Sequence, residues 1–223
     1  MSDTPWFEAF DGLGARLSAA GVARRDVVLP GASEPSPRMG ALIVQLEARG
    51  AELLSFDAGR FRTLGRFTDP QALVAAVEER MLAPLPEPMD WPESRVPEAD
   101  AVMQDVASQV IQNLASRPGG RVSFPLTLGG IVDKFGTSNG FVLYPGGTPF
   151  AQRSLPPSEV DESLPDLGLV RYGIARADIP VVAEVIPPLF GQPGGGVLLE
   201  LADPQQTIRD LLVSGALRRL RLI

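Results

Sequence analysis

Asp133-Lys134-Phe135-Gly136-Thr137-Ser138-Asn139-Gly140, then Tyr144-Pro145-Gly146-Gly147-Thr148-Pro149-Phe150, then Arg153-Ser154-Leu155-Pro156-Pro157, form the densest unusual stretch of this 223-residue chain. Each block sets glycines beside a polar or basic residue. Glycine lets a backbone approach a ligand and turn N–H groups toward it, and Arg can grip a phosphate or carboxylate with two parallel hydrogen bonds. The same composition also builds hairpin turns with a solvated Arg, and spacing leaves both readings open. Further on, Phe190-Gly191-Gln192-Pro193-Gly194-Gly195-Gly196 contains neither GxxxxGK[ST] nor GxGxxG. It is a turn beside a pocket or a hairpin connection into Val197-Leu198-Leu199.

Around these blocks, from Arg121 onward, short apolar runs alternate with Gly and Pro clusters, which predicts a loop-rich, mainly β domain. Asp203-Pro204-Gln205-Gln206 reads as a cap before a helix carrying Ile208, Leu211 and Leu212, and Gly215 stops it. Leu220 and Leu222 alternate with Arg219 and Arg221, as in a final strand with one wet face. Upstream, the spacing predicts a helix from Glu98 to Ala115, with Val102, Val106, Val110 and Leu114 on one side and Arg117-Pro118-Gly119-Gly120 at its end. It can pack on either neighbouring module.

The prolines at 84, 86, 88, 92 and 97 remove donors and fix φ, so 84–97 reads as a linker. Residues 1–83 read as a small α-β-β-β-α module. Thr4-Pro5 opens a helix bearing Trp6, Phe10, Leu13 and Leu17. Strand-like runs at Val27–Leu29, Ala41–Glu47, Glu52–Asp57 and Arg60–Leu64 suggest an antiparallel meander turning at Arg49-Gly50 and Ala58-Gly59. Asp69-Pro70 opens a second helix with Leu73, Val74, Val77 and Met81 on its apolar face. The expected class is α+β, with domains at 1–83 and 98–223.

Composition removes several functions. A net charge of −7 and a pI of about 4.7 argue against a nucleic-acid partner, which needs a basic footprint. With no Cys and no His, there is no thiolate nucleophile, imidazole base or typical zinc site, and no metal is expected. Chemistry must run on carboxylates, Arg, Tyr, Ser or amides. No apolar run is long enough for a membrane span, and the N-terminus carries no signal-peptide pattern. The expectation is a cytoplasmic protein, or one exported by a specialised secretion system.

The order Phe135-Gly136, Gly140, Pro145-Gly146-Gly147-Thr148-Pro149-Phe150, Arg153-Ser154-Leu155-Pro156-Pro157, Tyr172, then Phe190 to Gly196 resembles the motif series of the tuberculosis necrotizing toxin family of NAD⁺ glycohydrolases. The helix ending at Gly215 before Leu217 also fits. The resemblance implies an enzyme that hydrolyses the nicotinamide–ribose bond of NAD⁺, giving nicotinamide and ADP-ribose. NAD⁺ is then substrate, no cofactor is needed, and an immunity protein is the implied partner. Arg153 takes the place of the family's substrate-binding arginine. Arg171 or Arg176 is a second basic contact or a solvated charge, and Phe135, Gly136, Gly140 and Gln192 line the substrate.

This chain departs from the family in three places. The glutamine after the triple glycine is replaced by Val197-Leu198-Leu199, so Glu200 is the candidate for its polar role or else a solvent-facing neighbour in an alternating strand. Glu184 and Asp161 are the other carboxylates considered. Leu169 stands where the family has a tyrosine, and 158–168 is long and acidic. Two alternatives remain beside the enzyme: a degenerate member that binds NAD⁺ without turnover, and a module that keeps only the fold to bind a protein.

Overall fold

Trp6, Phe10, Leu13 and Leu17 recur at helical spacing, and all four are buried on one side of α1, Thr4–Ala19. The computed structural model describes residues 4–31, 36–160 and 168–223. The side chains of Thr4 and Pro5, expected to open α1, lie outside the described set, as does Asp161. The chain divides into two units, residues 1–85 with Gly136–Gly140, and Pro86–Phe135 with Phe141–Ile223. Both are α+β.

In the first unit, α1 precedes β1 (Val27–Val28), β2 (Ala41–Glu47), β3 (Gly50–Asp57), β4 (Arg60–Phe67) and α2 (Pro70–Leu82). The sheet order is β1-β2-β3-β4. β2, β3 and β4 form the expected antiparallel meander, but β1 pairs parallel to β2, adding a fourth strand. A two-residue run has too little pattern to announce a pairing direction. Ala58 and Gly59 both have positive φ, 48° and 76°, the geometry that matches hairpin twist. Asp69 caps α2, accepting from the amides of Gln71 and Ala72 at 3.1 and 3.3 Å. Leu73, Val74 and Val77 of α2 then join α1, Leu42, Val44, Ala51 and Leu53 in one core.

The Gly136–Gly140 segment is held inside this unit. The Thr137 amide donates to the Met39 carbonyl at 3.0 Å, its hydroxyl donates to the Gly40 carbonyl, and the Ser55 hydroxyl donates to the Asn139 carbonyl at 2.7 Å. Gly40 and Gly136 both have positive φ, and a Cβ on either would overlap backbone oxygen, of Thr137 and Met39 respectively.

The second unit is built on an eight-stranded sheet. Its strands are β5 (Met89–Trp91), β6 (Val122–Pro125), β7 (Ile131–Phe135), β8 (Val142–Pro145), β9 (Leu169–Ile174), β10 (Pro180–Val185), β11 (Val197–Leu201) and β12 (Leu217–Leu222). Their order is β5-β12-β9-β7-β8-β11-β10-β6. Three α-helices accompany them among the described residues: α3 (Val96–Leu114), the single turn α4 (Phe150–Arg153) and α5 (Ile208–Val213). Within the proline-rich stretch, Met89–Trp91 pairs parallel to β12. Pro88 and Pro92 bracket this strand at the sheet edge, where their missing donors cost no ladder bond.

α3 packs within this unit, burying Val110 and Leu114 of the predicted stripe but not Val102 and Val106. Its buried residues are Ala99, Met103, Ala107, Val110 and Leu114, while Val102 and Val106 are half-buried. Two alanines let the helix approach closely, and Gly130 makes room for Met103. At α5 the cap is Thr207, not Asp203. Thr207 and Asp210 exchange bonds in a capping box, while Asp203 accepts from the Gln205 amide at 2.9 Å in the turn before it. Gly215 ends the segment with φ 72°. Among the described residues, no helix is long and apolar enough to cross a membrane, and no group of three or more His, Cys, Asp or Glu could hold a metal ion.

Candidate functional site

Pro149-Phe150-Ala151-Gln152-Arg153 forms only one helical turn, and Ser154 leaves it in the left-handed region at φ 48°. That reversal turns the Arg153 side chain into the protein, where it is 3% exposed. Nη1 donates to Asp133 Oδ1 at 2.6 Å, and Nε and Nη2 both donate to the Thr148 carbonyl at 2.9 and 2.6 Å. The guanidinium also lies 4.9 Å from the Tyr144 ring centre and 5.5 Å from that of Phe135, within cation–π range. Phe135 meets Phe150 edge-on.

Asp133 of β7 stands opposite Tyr144 on β8 and Arg171 on β9, and opposed residues of antiparallel strands share a face. Asp100 approaches the same group from α3. Its carboxylate rests on the Pro145-Gly146-Gly147 turn, where a Cβ on Gly146 would overlap Oδ1. Gln104, one helical turn along α3, donates to the Gly146 carbonyl at 2.6 Å and holds that turn in place. The result is a quartet of Asp100, Asp133, Arg153 and Arg171, contributed by α3, β7, α4 and β9.

Burial pushes the Asp133 carboxyl above its ordinary pKa, further than Arg153 and Arg171 pull it down, and Asp100 adds to the rise. Asp100 is likewise raised, by burial against the attraction of Arg171 and Arg153. Loss of hydration on burial disfavours the charged form of each carboxyl more than the arginines favour it. Asp133 Oδ2, Asp100 Oδ1 and Arg171 Nε are buried atoms with no hydrogen-bond partner among the described residues.

Two motif blocks distant in sequence meet here. Gln192 Nε2 donates to the Leu155 carbonyl at 2.6 Å and the Ser154 hydroxyl to the Pro187 carbonyl at 2.9 Å. The amides of Gly194 and Gly196 donate to the carbonyls of Ala151 and Gln152. Phe190 and Gly191, with φ 52° and 73°, make the tight turn between Leu189 and Gln192. Gln192 thus serves as a stitch between the loops.

The structure therefore groups Phe135, Arg153 and Arg171, with Gln192 attached through Leu155. Within the second unit it does not bring in Arg176 or Glu200. Gly136 and Gly140 pack in the first unit. Arg176 is exposed and grips Asp178 two residues on. Glu200 lies on β11, with Arg121 donating to its carboxylate and lying 3.5 Å from that of Glu184. Glu200 opposes Val142, two residues before Tyr144, so it shares the face of Asp133. Strand spacing and rise place the two Cα atoms roughly 12 Å apart, too far to hold one ligand atom. Val197, Leu198 and Leu199 are buried in β11, so no amide side chain follows the triple glycine.

Asp100, Gln104 and Tyr144 were not legible as site residues. Asp100 and Gln104 lie on α3 outside the glycine-rich blocks, and only the orientation of that helix aims them at Gly146.

The geometry defines a class: an α+β protein whose second unit is mainly β and gathers an arginine and a glycine turn beneath one helix. Residues 125–220 match the family model described as tuberculosis necrotizing toxin. Six chains of solved structures match. One, tuberculosis necrotizing toxin complexed with its immunity factor, is 24% identical, with a TM-score of 0.36. The match covers 45% of this chain and 56% of that one. No curated protein matches.

Proposed function

We propose that the toxin-family domain hydrolyses the N-glycosidic bond of NAD⁺ between nicotinamide and ribose, releasing ADP-ribose. The observation that supports this best is the convergence of the family's blocks, Phe135, Pro145-Gly146-Gly147, Arg153 and Gln192, inside the matched segment 125–220. The absence of His from the chain does not oppose it. Nicotinamide leaves as a neutral molecule from a cationic pyridinium, so no acid need protonate it. The site must anchor the pyrophosphate and support a ribosyl cation while water attacks.

Arg171 is the group for the anchoring role, because it is half-buried and its Nε lacks an acceptor. Arg153 is a positioning residue whose bonds to Asp133 and Thr148 fix the loop. Glu200 is the carboxylate for the ribosyl cation, at a distance from the quartet that an extended dinucleotide can span. Incubating the full chain with NAD⁺ and following nicotinamide release tests the proposal. No release, where a family control turns over, would sink it.

The apolar Val197-Leu198-Leu199 run supports a second reading, in which NAD⁺ is bound without turnover. Calorimetry showing saturable NAD⁺ binding without nicotinamide release selects it. An immunity partner belongs to the first reading alone, since only turnover endangers the producing cell.

A further inference from the structure

The carboxylate of Asp100 lies on a turn shaped by missing side chains. A Cβ on Gly146 would overlap Asp100 Oδ1, and one on Gly147 would stand 3.2 Å from Oδ2. A carboxylate placed there for permanent structure would share hydrogen bonds with a neighbouring cation, because charge-assisted bonds are the strong ones. Here it does not. Among the described residues Oδ1 accepts no hydrogen bond and Arg171 Nε donates none, although both atoms are buried and the two groups attract electrostatically. A buried donor and a buried acceptor of opposite charge thus stand unsatisfied within one cluster, which is a costly arrangement.

The charges indicate what would satisfy the donor. Asp133 and the Thr148 carbonyl already occupy Nε, Nη1 and Nη2 of Arg153. Asp100 is left to balance Arg171, and the two acids and two arginines sum to zero. Moving the Asp100 carboxylate away uncovers one net positive charge, the unpaired Nε and a turn with no side chain in the way. Gln104 keeps the turn in place from α3 at 2.6 Å, so the carboxylate can leave without loss of the seat.

We propose that Asp100 is a self-occupying gate on an anion seat formed by Arg171 and the Gly146-Gly147 turn, and that a phosphate-class anion takes the seat by displacing it. The NAD⁺ reading supplies the larger ligand's identity, a dinucleotide whose pyrophosphate would be that anion, and the proposal rests on it to that extent. Asp100 lies outside the family-matched segment 125–220.

The test is calorimetric titration of inorganic pyrophosphate into the full chain at fixed ionic strength. The variants are Asp100→Asn, Asp100→Ala and, as an equal change of net charge on an exposed position of the same helix, Asp105→Asn. Removing one competing unit charge at contact range tightens binding about tenfold in both Asp100 variants, and Asp105→Asn stays within about twofold. Unchanged or weaker binding in the Asp100 variants overturns the gate, as does an equal gain in Asp105→Asn. Should both Asp100 variants lose a cooperative melt, Arg171→Ala decides: a loss of at least about tenfold supports the seat, and unchanged affinity overturns it. Nicotinamide release by the unmodified chain is scored separately. Gating without release removes hydrolysis alone, and release without gating removes the gate alone.

Discussion

Replacing Asp133 with Ala strands a guanidinium that is 3% exposed, since Asp133, itself 1% exposed, is the anion bonded directly to it among the described residues. Removing one partner of a buried pair costs about 3–5 kcal/mol, because the survivor remains desolvated and uncompensated. Two features place this site near the lower end. The Thr148 carbonyl still receives two N–H groups of Arg153, and Asp100 remains close enough to attract it. For a protein of this size about 3 kcal/mol corresponds to roughly 6–12 °C in Tm. The chain has two tryptophans, Trp6 in the first unit and Trp91 in the second. In a Trp6→Phe background, urea unfolding followed by fluorescence reports on Trp91. The expected result is a lower midpoint of that transition for Asp133→Ala and a smaller loss for Asp133→Asn, which preserves shape and one acceptor. A loss below about 1 kcal/mol would refute the assignment of Arg153 as a buried, charge-dependent anchor, since that is the range of exposed pairs.

Several other outcomes are expected. Because burial raises Asp100 above its ordinary pKa, the native state binds more protons than the unfolded chain between about pH 4 and the raised value. Its contribution to stability is therefore present at the acid end and lost as pH rises through that window. Asp100→Asn should remove this part of the slope, and an identical slope in melts from pH 4 to 7 would count against it. Gly136→Ala meets both positive φ and the Met39 carbonyl, whereas Gly129→Ala meets positive φ alone with open space around it. The first should lower Tm clearly more than the second, whose strain is about 1–2 kcal/mol, and equal losses would contradict the close approach at Gly136. Thr207→Ala removes the capping hydroxyl of α5 and should cost about 1 kcal/mol in chemical denaturation. If nicotinamide is released, Glu200→Gln should slow release about a hundredfold with KM little changed; full activity would remove Glu200 from the mechanism.

Local patterns carried much of the fold. Trp6, Phe10, Leu13 and Leu17 mark α1 because helical periodicity is a property of neighbours in sequence, and Asp69-Pro70 marks the start of α2 for the same reason. Where the local signal was shared between candidates, the structure chose differently. Asp203 is the cap expected for α5, but the structure uses Thr207, which has a carboxylate three residues on to complete the box. Val102-Val106 and Ala99-Met103 are adjacent stripes of α3, and the stripe that fits the sheet is the one whose small side chains allow close approach.

The glycine-rich blocks, Arg153 and the apolar run after Gly196 were legible in the chain, because each rests on residue identity and order. The partners of those residues were not. Asp133 against Arg153, Asp100 on the Gly146-Gly147 turn, Arg121 on Glu200 and Gly136 against Met39 all join residues far apart in sequence. Their meeting depends on strand register and on the orientation of α3. Register and helix orientation are set by how the whole core packs, so the burial, the charge balance and the unsatisfied atoms of the quartet exist only in the folded protein.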